Sequence, residues 1–411
     1  MADNLMRDVK ALIKRTARRT LMFGGRELTP RVLFFEDHAG WPPNVEIVET
    51  IEPRVEIARV TPDPYEVFPN HIAGWAQGMY PFAGEAYQTH ALRLWKGLEV
   101  RTLGRRGGLV FSDGTFDRST FQWVSPDLRP PILDWNGGNL VVPNSPEREI
   151  SDPCYLAFNS GHTNYAHWLT DNLIYLYIYV TKLKPLGIKV ALPDSMSGFA
   201  RDTVKILGIT PEDTIVAGDE ILKFKELYFS DTIYFGEIPA ILRGAVDCLK
   251  EKALRLDVPV LADRLVYISR PDATARPLMN NGELEARLSS LGFEIVATGT
   301  LTLLEQIRLF AETRLVVGQH GAGLMNSIFC SPGATLIELF PEYMLQGHFW
   351  NAASLMDLQY GFLSGTSFDA DSSTVTVDGN WEAASVIDVN RVAEICTRIS
   401  KGSLGRSSKV R

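Results

Sequence analysis

The sequence predicts an α/β protein, and three observations carry that expectation. Residues 314–341 read as a short apolar run, a glycine turn, a helical stretch, a second apolar run and a terminal acid, which is the order of one βαβ unit. Upstream of it, from Arg264, strand-like and helix-like segments alternate at lengths that imply a parallel sheet with right-handed crossovers. A second alternating region runs from Cys154 to about Asp257, whereas residues 31–151 are irregular and rich in Pro, Gly and aromatics.

At 411 residues the chain suggests two or three domains, taking roughly 150 residues for each. The division expected is an N-terminal domain over 1–257, a C-terminal nucleotide-binding domain over 258–400, and a basic tail over 401–411. Within the first, residues 1–20 form a basic amphipathic helix and 21–150 an irregular α/β extension. A net charge of -8 and a pI near 5.5 argue against nucleic acid as a partner, since such binders normally carry a basic face. Cys154, Cys248, Cys330 and Cys396 are scattered without C-x-x-C or metal spacing, so neither a zinc site nor a disulfide framework is indicated and a reduced cytosol fits.

The N-terminal stretch carries Arg7, Lys10, Lys14, Arg15, Arg18 and Arg19 with Leu5, Met6, Val9, Leu12 and Ile13 at helical spacing. Such a helix can lie on a membrane surface as a peripheral contact, or pack on its own domain. No signal-peptide h-region precedes it and no run approaches the ~20 apolar residues of a membrane span.

The elements follow in order. Strands are expected over 32–35 and 109–111, then 155–158, a helix over 165–180, a strand over 189–192, a helix over 197–207, a strand over 227–230 and an amphipathic segment over 238–256. In the C-terminal part the expectation is a strand over 264–269, a helix over 282–291, a strand over 294–297 and a helix over 303–312, leading into the βαβ unit.

The glycine turn is the first candidate site. Gly321 and Gly323 permit close ligand approach, and the first N–H groups of the following helix, those of Ala322 and Gly323 among them, point at whatever sits there, most readily a phosphate. Glu338, near the carboxyl end of the next strand, occupies the place where doubly wound folds hold an acid for ribose hydroxyls. The spacing Gly321-x-Gly323-x-x-Asn326 resembles a dinucleotide fingerprint with Asn at its third glycine. Arg270 follows the strand over 264–269 and Arg276 sits in a Pro-bracketed loop beyond it, both placed to face the turn; a guanidinium fork suits a diphosphate. His320 can bond a phosphate or a sugar.

The second cluster is Asn159-Ser160-Gly161-His162-Thr163-Asn164-Tyr165-Ala166-His167-Trp168-Leu169-Thr170-Asp171. Asn164 can cap the helix that starts at Tyr165. His167 and Asp171, four apart, share a helical face, and a carboxylate beside an imidazole fixes its tautomer and suits it to act as a general base. The competing reading is a structural His/Asp bond on a capped helix. His162 lies on the preceding turn. No Ser or Cys sits in a G-x-S-x-G elbow, so acyl transfer is not indicated.

Taken together, Asn164 to Asp171, Tyr267-Ile268-Ser269-Arg270 with Arg276, Leu303-Leu304-Glu305-Gln306, His320 to Asn326, and Ile337-Glu338-Leu339 with Pro341 resemble the successive motifs of glycosyltransferase family 61. The resemblance covers about residues 155–345. It implies a GT-B-like arrangement of two facing Rossmann-like domains with parallel sheets. It also implies inverting transfer from a nucleotide-sugar donor, generally UDP-linked, to a hydroxyl of a glycan or lipid-linked glycan, with no cofactor and no metal-binding D-x-D. Asp369-Ala370-Asp371 has that spelling but lies in a Ser/Thr-rich stretch. His167, Asp171 or His162 would take the acceptor's proton, with Asn164 on the acceptor or sugar side. Arg270, Arg276, His320, Gly321, Ala322, Gly323, Asn326 and Glu338 would hold the donor's nucleotide and phosphates. Without signal, anchor or paired cysteines, the expected setting is bacterial and cytoplasmic, at the inner membrane face, in capsule or exopolysaccharide synthesis. An NAD-binding oxidoreductase and a catalytically silent nucleotide- or carbohydrate-binding relative are the alternatives.

Overall fold

A computed structural model describes residues 22–23, 26–27, 32–33, 42, 44–63, 86–103, 105, 107–117, 120, 146–233, 236–254, 261–271, 273, 275–341, 346–369, 374–375 and 384–406. The helix expected over 1–20 lies outside them. The chain divides into two compact units, each drawn from two stretches: Met1–Pro53 with Ala91–Thr232, and Arg54–His90 with Ile233–Arg411. The units therefore do not divide at residue 257. The second takes in the amphipathic helix that was expected to close the first, and a segment from the irregular N-terminal part. The last helix, Val389–Arg406, also runs into the stretch expected to be a tail.

The first unit is built on the strands β1 (Val45–Glu52), β2 (Leu92–Thr102), β3 (Leu109–Val110), β4 (Glu147–Ile150), β5 (Cys154–Leu156), β6 (Lys189–Pro193), β7 (Thr214–Ala217) and β8 (Ile221–Ser230). Their order is β7-β6-β5-β8-β2-β3, with β4 beside β8 and β1 beside β2. Pairs among β4 to β8 are parallel, but β8–β2, β2–β1 and β2–β3 are antiparallel. The sheet is thus mixed, which corrects the expectation of two parallel sheets. The cause is β2, an eleven-residue strand from the part read as irregular. Its alternation is interrupted by Gly97, where a Cβ would lie 2.6 Å from Val100 Cγ2, and by Glu99 at φ 57°. Trp95, Val100, Phe111, Phe158, Phe224 and Phe229 form the core beneath.

The 165–186 helix, α1, covers this sheet and is not uniform. One α-turn, Tyr165–His167, passes into a π-segment, Trp168–Asn172, then Leu173–Ile178, a second π-segment Tyr179–Leu183 and a 3-10 turn Lys184–Leu186. Gly198–Ile206 (α2) follows β6. Trp168, wholly buried, donates from Nε1 to Thr203 Oγ on α2 at 2.9 Å, so a large ring at the start of α1 locks the two helices together.

The second unit begins, after helix α3 (Leu242–Leu254), with the alternation read from sequence: β9 (Arg264–Ile268), α4 (Asn281–Ser289), β10 (Glu294–Val296), α5 (Leu303–Ala311), β11 (Thr313–Gln319), β12 (Thr335–Phe340), α6 (His348–Leu355), β13 (Gln359–Ser364) and α7 (Val389–Arg406). The five-stranded sheet has the order β10-β9-β11-β12-β13 and every pair is parallel. β12 is buried along its whole length, as expected of a strand covered on both faces. Thr302 and Glu305 form a reciprocal capping box at the start of α5. Segment 54–63 is bound to α6 and β13: Arg59 Nε donates to Asn351 Oδ1 at 2.7 Å, and Asp63 N donates to Tyr360 O at 2.9 Å.

The helical stretch after the glycine turn differs from expectation. Ala322–Phe329 is a 3-10 helix, not an α-helix. Leu324 N–H bonds Gly321 O at 3.0 Å, and the Asn326 side chain donates to Gly323 O at 3.0 Å, so the first turn is tightened by i to i+3 contacts.

Candidate functional site

Two clusters, one in each unit, gather the residues singled out from the sequence. In the first unit the chain leaves β5 and enters α1 through a turn whose polar groups are nearly all internal. Asn164 Oδ1 accepts from Ala166 N at 2.9 Å and His167 N at 3.4 Å, the N-cap expected of it. That oxygen is committed to the backbone as the helix cap, while the residue itself is exposed.

His167 and Asp171 meet. Nδ1 lies 3.2 Å from Asp171 Oδ2, and both side chains are buried. Asp171 Oδ2 also accepts from Asn159 Nδ2 at 3.2 Å, and Thr170 Oγ lies 2.7 Å from Oδ1. Asn172 joins the same network, taking Asn159 N at 3.1 Å and donating to His167 O at 3.2 Å. The π-segment makes this possible: its extra residue per turn places Asp171 and Asn172 against the β5 turn while His167 stays on the preceding α-turn, and such insertions recur at functional sites. With a carboxylate at Nδ1, the neutral imidazole carries its proton there and presents Nε2 as the basic nitrogen. Asn159 and Asn172 received no role in the sequence reading; no spacing rule links residues thirteen apart across a turn.

His162 is brought to the same turn but not into the pair. It is 1% exposed, its Nδ1 lies 3.0 Å from Asn159 O, its ring meets Phe158 edge-on, and Nε2 has no hydrogen-bond partner among the described residues. Burial pushes its pKa below the usual histidine range, with the Asn159 carbonyl opposing that shift. It is a neutral, enclosed imidazole.

In the second unit the carboxyl ends of β9 and β11 bring Arg270 to the glycine turn. Arg270 Nη1 donates to His320 O at 2.9 Å, and Nη2 reaches Ala275 O at 3.4 Å. A Cβ on Gly321 would fall 3.1 Å from the guanidinium carbon, so the glycine is what lets Arg270 lie against the turn. Gly323 has an equivalent reason: its Cβ would meet Thr298 Oγ at 2.9 Å. The backbone of Arg276 is left-handed (φ 54°), an uncommon state for a residue with a Cβ, and its carbonyl accepts from Gln319 Nε2 at the end of β11. Ala322 and Gly323 open the 3-10 helix, where the first N–H groups have no intrahelical acceptor.

Glu338 and Asn326 are corrected. Glu338 is 0% exposed; its Oε1 accepts from His320 Nδ1 at 2.5 Å and its Oε2 from Tyr360 OH at 2.6 Å. An acid enclosed this way is bonded to the protein at both oxygens and is not exposed to a ribose. Asn326 is also fully buried, its amide bonded to Gln306 Oε1 at 2.8 Å and to Gly323 O. It ties α5 to the glycine turn instead of meeting a ligand. His320 is held between Phe340, stacked at 5.2 Å, and Phe349, edge-on at 5.2 Å. Tyr360, decisive for Glu338, gave no signal in the sequence. Of the D-x-D spelling, Asp369 ends a strand and the remainder lies outside the described residues. Among the described residues no helix is long and apolar enough to cross a membrane.

The comparisons with known proteins bear on the same stretch. Residues 165–337 match the family described as Glycosyltransferase 61. It is 31% identical over 143 residues to alpha-1,3-arabinosyltransferase XAT3 of Oryza sativa subsp. japonica, covering 33% of this chain and 24% of the relative. The protein O-linked-mannose beta-1,4-N-acetylglucosaminyltransferase 2 of Homo sapiens is 31% identical over 111 residues, covering 25% and 19%. Beta-1,2-xylosyltransferase XAX1 of Oryza sativa subsp. japonica is 29% identical over 125 residues, covering 29% and 22%. The chain matches no more than 24% of the length of these relatives.

Proposed function

We propose that the protein is an inverting glycosyltransferase that moves a sugar from a nucleotide-sugar donor, UDP-linked, to a hydroxyl of a glycan. The observation that carries the reading is the buried His167–Asp171 pair, fixed by Asn159 and Thr170 and lying within the stretch that matches the family. In this reading His167 Nε2 takes the proton of the acceptor hydroxyl, whose oxygen attacks the anomeric carbon as the bond to the diphosphate breaks. Asp171 holds the Nδ1 proton and offsets the charge of the imidazolium formed. Arg270, Arg276, His320 and the N–H groups of Ala322 and Gly323 take the charge of the departing diphosphate. His162, buried and neutral, supports the turn and is not the base. Two α/β units, one with an all-parallel sheet, support the GT-B reading as far as each unit's own architecture goes.

The relatives make pentoses and N-acetylglucosamine the donor sugars to test first. They come from rice and human and lend no support to a bacterial capsule, exopolysaccharide or cytoplasmic setting. The enclosure of Glu338 weighs against an NAD-binding oxidoreductase, which needs an acid open to ribose.

The test is calorimetry and thermal shift against uridine, guanosine and cytidine nucleotides and NAD, with and without EDTA, on the wild type and Arg270→Ala. Transfer assays with UDP-xylose, UDP-arabinose and UDP-N-acetylglucosamine complete it. Selective UDP binding that survives EDTA and weakens in the variant, with sugar transfer abolished by His167→Ala, supports the proposal. Binding of NAD alone sinks it. Nucleotide binding without turnover, indifferent to His167→Ala, replaces it with a catalytically silent relative.

A further inference from the structure

Arg276 is held in a conformation that its sequence disfavours. Its φ of 54° is left-handed, a state that is uncommon for a residue with a Cβ and costs energy. It also precedes Pro277, and a residue before proline is normally extended. Such a state persists where its surroundings over-determine it, and here they form a closed circuit of hydrogen bonds. Arg270 Nη2 reaches Ala275 O at 3.4 Å, Gln319 Nε2 donates to Arg276 O, and Arg270 Nη1 donates to His320 O at 2.9 Å. Two consecutive carbonyls of the loop are thus bound, one from the end of β9 and one from the end of β11, strands that pair in parallel as far as Ile268 and Gly318. Beyond Arg276 the chain is fixed again, because Pro277 O accepts from Ser385 N at 3.0 Å and Met279 N donates to Ser385 O at 2.9 Å.

We propose that Gln319 is a positioning residue for the donor site: by binding the Arg276 carbonyl it holds the left-handed turn at Arg276, and so sets the direction in which that arginine's side chain leaves the backbone. The inference rests on the nucleotide-sugar reading of the preceding subsection, in which Arg276 takes part of the charge of the diphosphate. Gln319 is neutral and buried, and among the described residues its side chain makes one hydrogen bond, to this carbonyl. It acts through Arg276. Without the amide the Arg276 backbone relaxes toward the extended state that Pro277 favours, and the direction of its side chain changes with it. Fixing the arginine before the nucleotide arrives removes an ordering cost from binding, and strained backbone held in this way recurs at ligand clamps.

The experiment is a double-mutant cycle on the full chain, with UDP affinity read by calorimetry and donor KM and kcat read by sugar transfer. Arg276→Ala should weaken UDP binding by roughly ten- to a hundredfold, as expected for charge-assisted bonds to phosphate. Gln319→Met keeps the size of the side chain and removes its N–H donors. It should weaken UDP binding by about five- to tenfold and raise the donor KM to match, with kcat at saturating donor within about threefold of wild type. In the Arg276→Ala background the same substitution should add less than about twofold, because the group it positions is gone. Unchanged UDP affinity in Gln319→Met, or equal losses in both backgrounds, overturns the proposal. So does an Arg276→Ala protein that binds UDP as tightly as the wild type, a measurement that does not need the Gln319 variant. A Gln319→Met protein that circular dichroism shows to be unfolded gives the residue a structural role and overturns it as well. A wild type that does not bind UDP overturns the UDP-linked donor reading and this inference with it.

Discussion

Asp171→Asn tests the general-base reading most directly, because the side chain keeps its shape and loses only its charge and one acceptor. In the wild type the carboxylate is an acceptor towards His167 Nδ1, Asn159 Nδ2 and Thr170 Oγ. An amide offers one oxygen and an NH2. His167 and Asn159 both approach Oδ2, whereas Thr170 Oγ approaches Oδ1 and also donates to Ala166 O. An asparagine can therefore keep its oxygen at the Oδ2 place and turn its NH2 to Thr170, whose hydroxyl accepts. The tautomer of His167 survives, and what is lost is the charge that offsets the imidazolium formed when Nε2 takes the acceptor's proton. General-base catalysis contributes about 10²–10⁴-fold, which at 1.36 kcal/mol per tenfold is about 3–5 kcal/mol of barrier, and the variant should lose most of it. The stability cost should be smaller, roughly 1.5–3 kcal/mol for one charge-assisted hydrogen bond. The assay is kcat for sugar transfer beside calorimetric UDP affinity, and the expected pattern is a collapse of kcat with UDP affinity unchanged. A folded Asp171→Asn protein with kcat within threefold of wild type refutes the argument, and His167 is then a structural histidine.

Three further outcomes follow from the same geometry. Arg270→Ala should weaken UDP binding by about 1.5–3 kcal/mol, roughly ten- to a hundredfold, as expected for charge-assisted bonds to phosphate, with kcat at saturation less affected; calorimetry reads it. Gly321→Ala sets a methyl 3.1 Å from the Arg270 guanidinium, which is the mobile end of a long side chain, so melting should change little while UDP affinity falls several-fold. His162 has a folded pKa below its ordinary 6.5, so the unfolded chain binds its proton first. Stability is whole above about pH 6.5 and is lost as pH falls towards the depressed value, at no more than about 1.4 kcal/mol per pH unit. Denaturant midpoints measured from pH 7.5 to pH 5 should fall less steeply for His162→Gln, and an identical slope counts against burial as the cause.

The sequence carried the second unit well because β9 to β12 are short apolar runs separated by helical segments, one of them opened by the Thr302/Glu305 capping box, and each signal is local. It carried the first unit poorly at β2, where Gly97 and the left-handed Glu99 interrupt an alternation that pairing with β8 sustains in space. At the site, His167 and Asp171 were legible because a helix fixes their spacing. Asn159 was visible as part of a cluster, but not as the partner of Asp171, since that contact depends on a π-turn that no periodicity announces. Glu338 was correctly placed on its strand and wrongly given to a ribose. Whether a carboxylate faces ligand or protein is decided by what stands opposite, here Tyr360 on the neighbouring strand, twenty-two residues later in the chain.

The discontinuity of the two units has a consequence for the order in which the chain can become structured. Residues 54–63 are made early, yet their partners are Asn351, Ser354 and Tyr360, nearly three hundred residues downstream. During synthesis that segment must wait for almost the whole chain while the strands on either side of it, β1 and β2, pair with each other. Closing so long a loop is slow, and Trp350, whose ring lies 4.8 Å beneath the Arg59 guanidinium and whose Nε1 bonds Val60 O, stays incompletely covered until it happens. A fragment starting at residue 258 would lack both that cover and α3, and would exist as a permanently waiting intermediate.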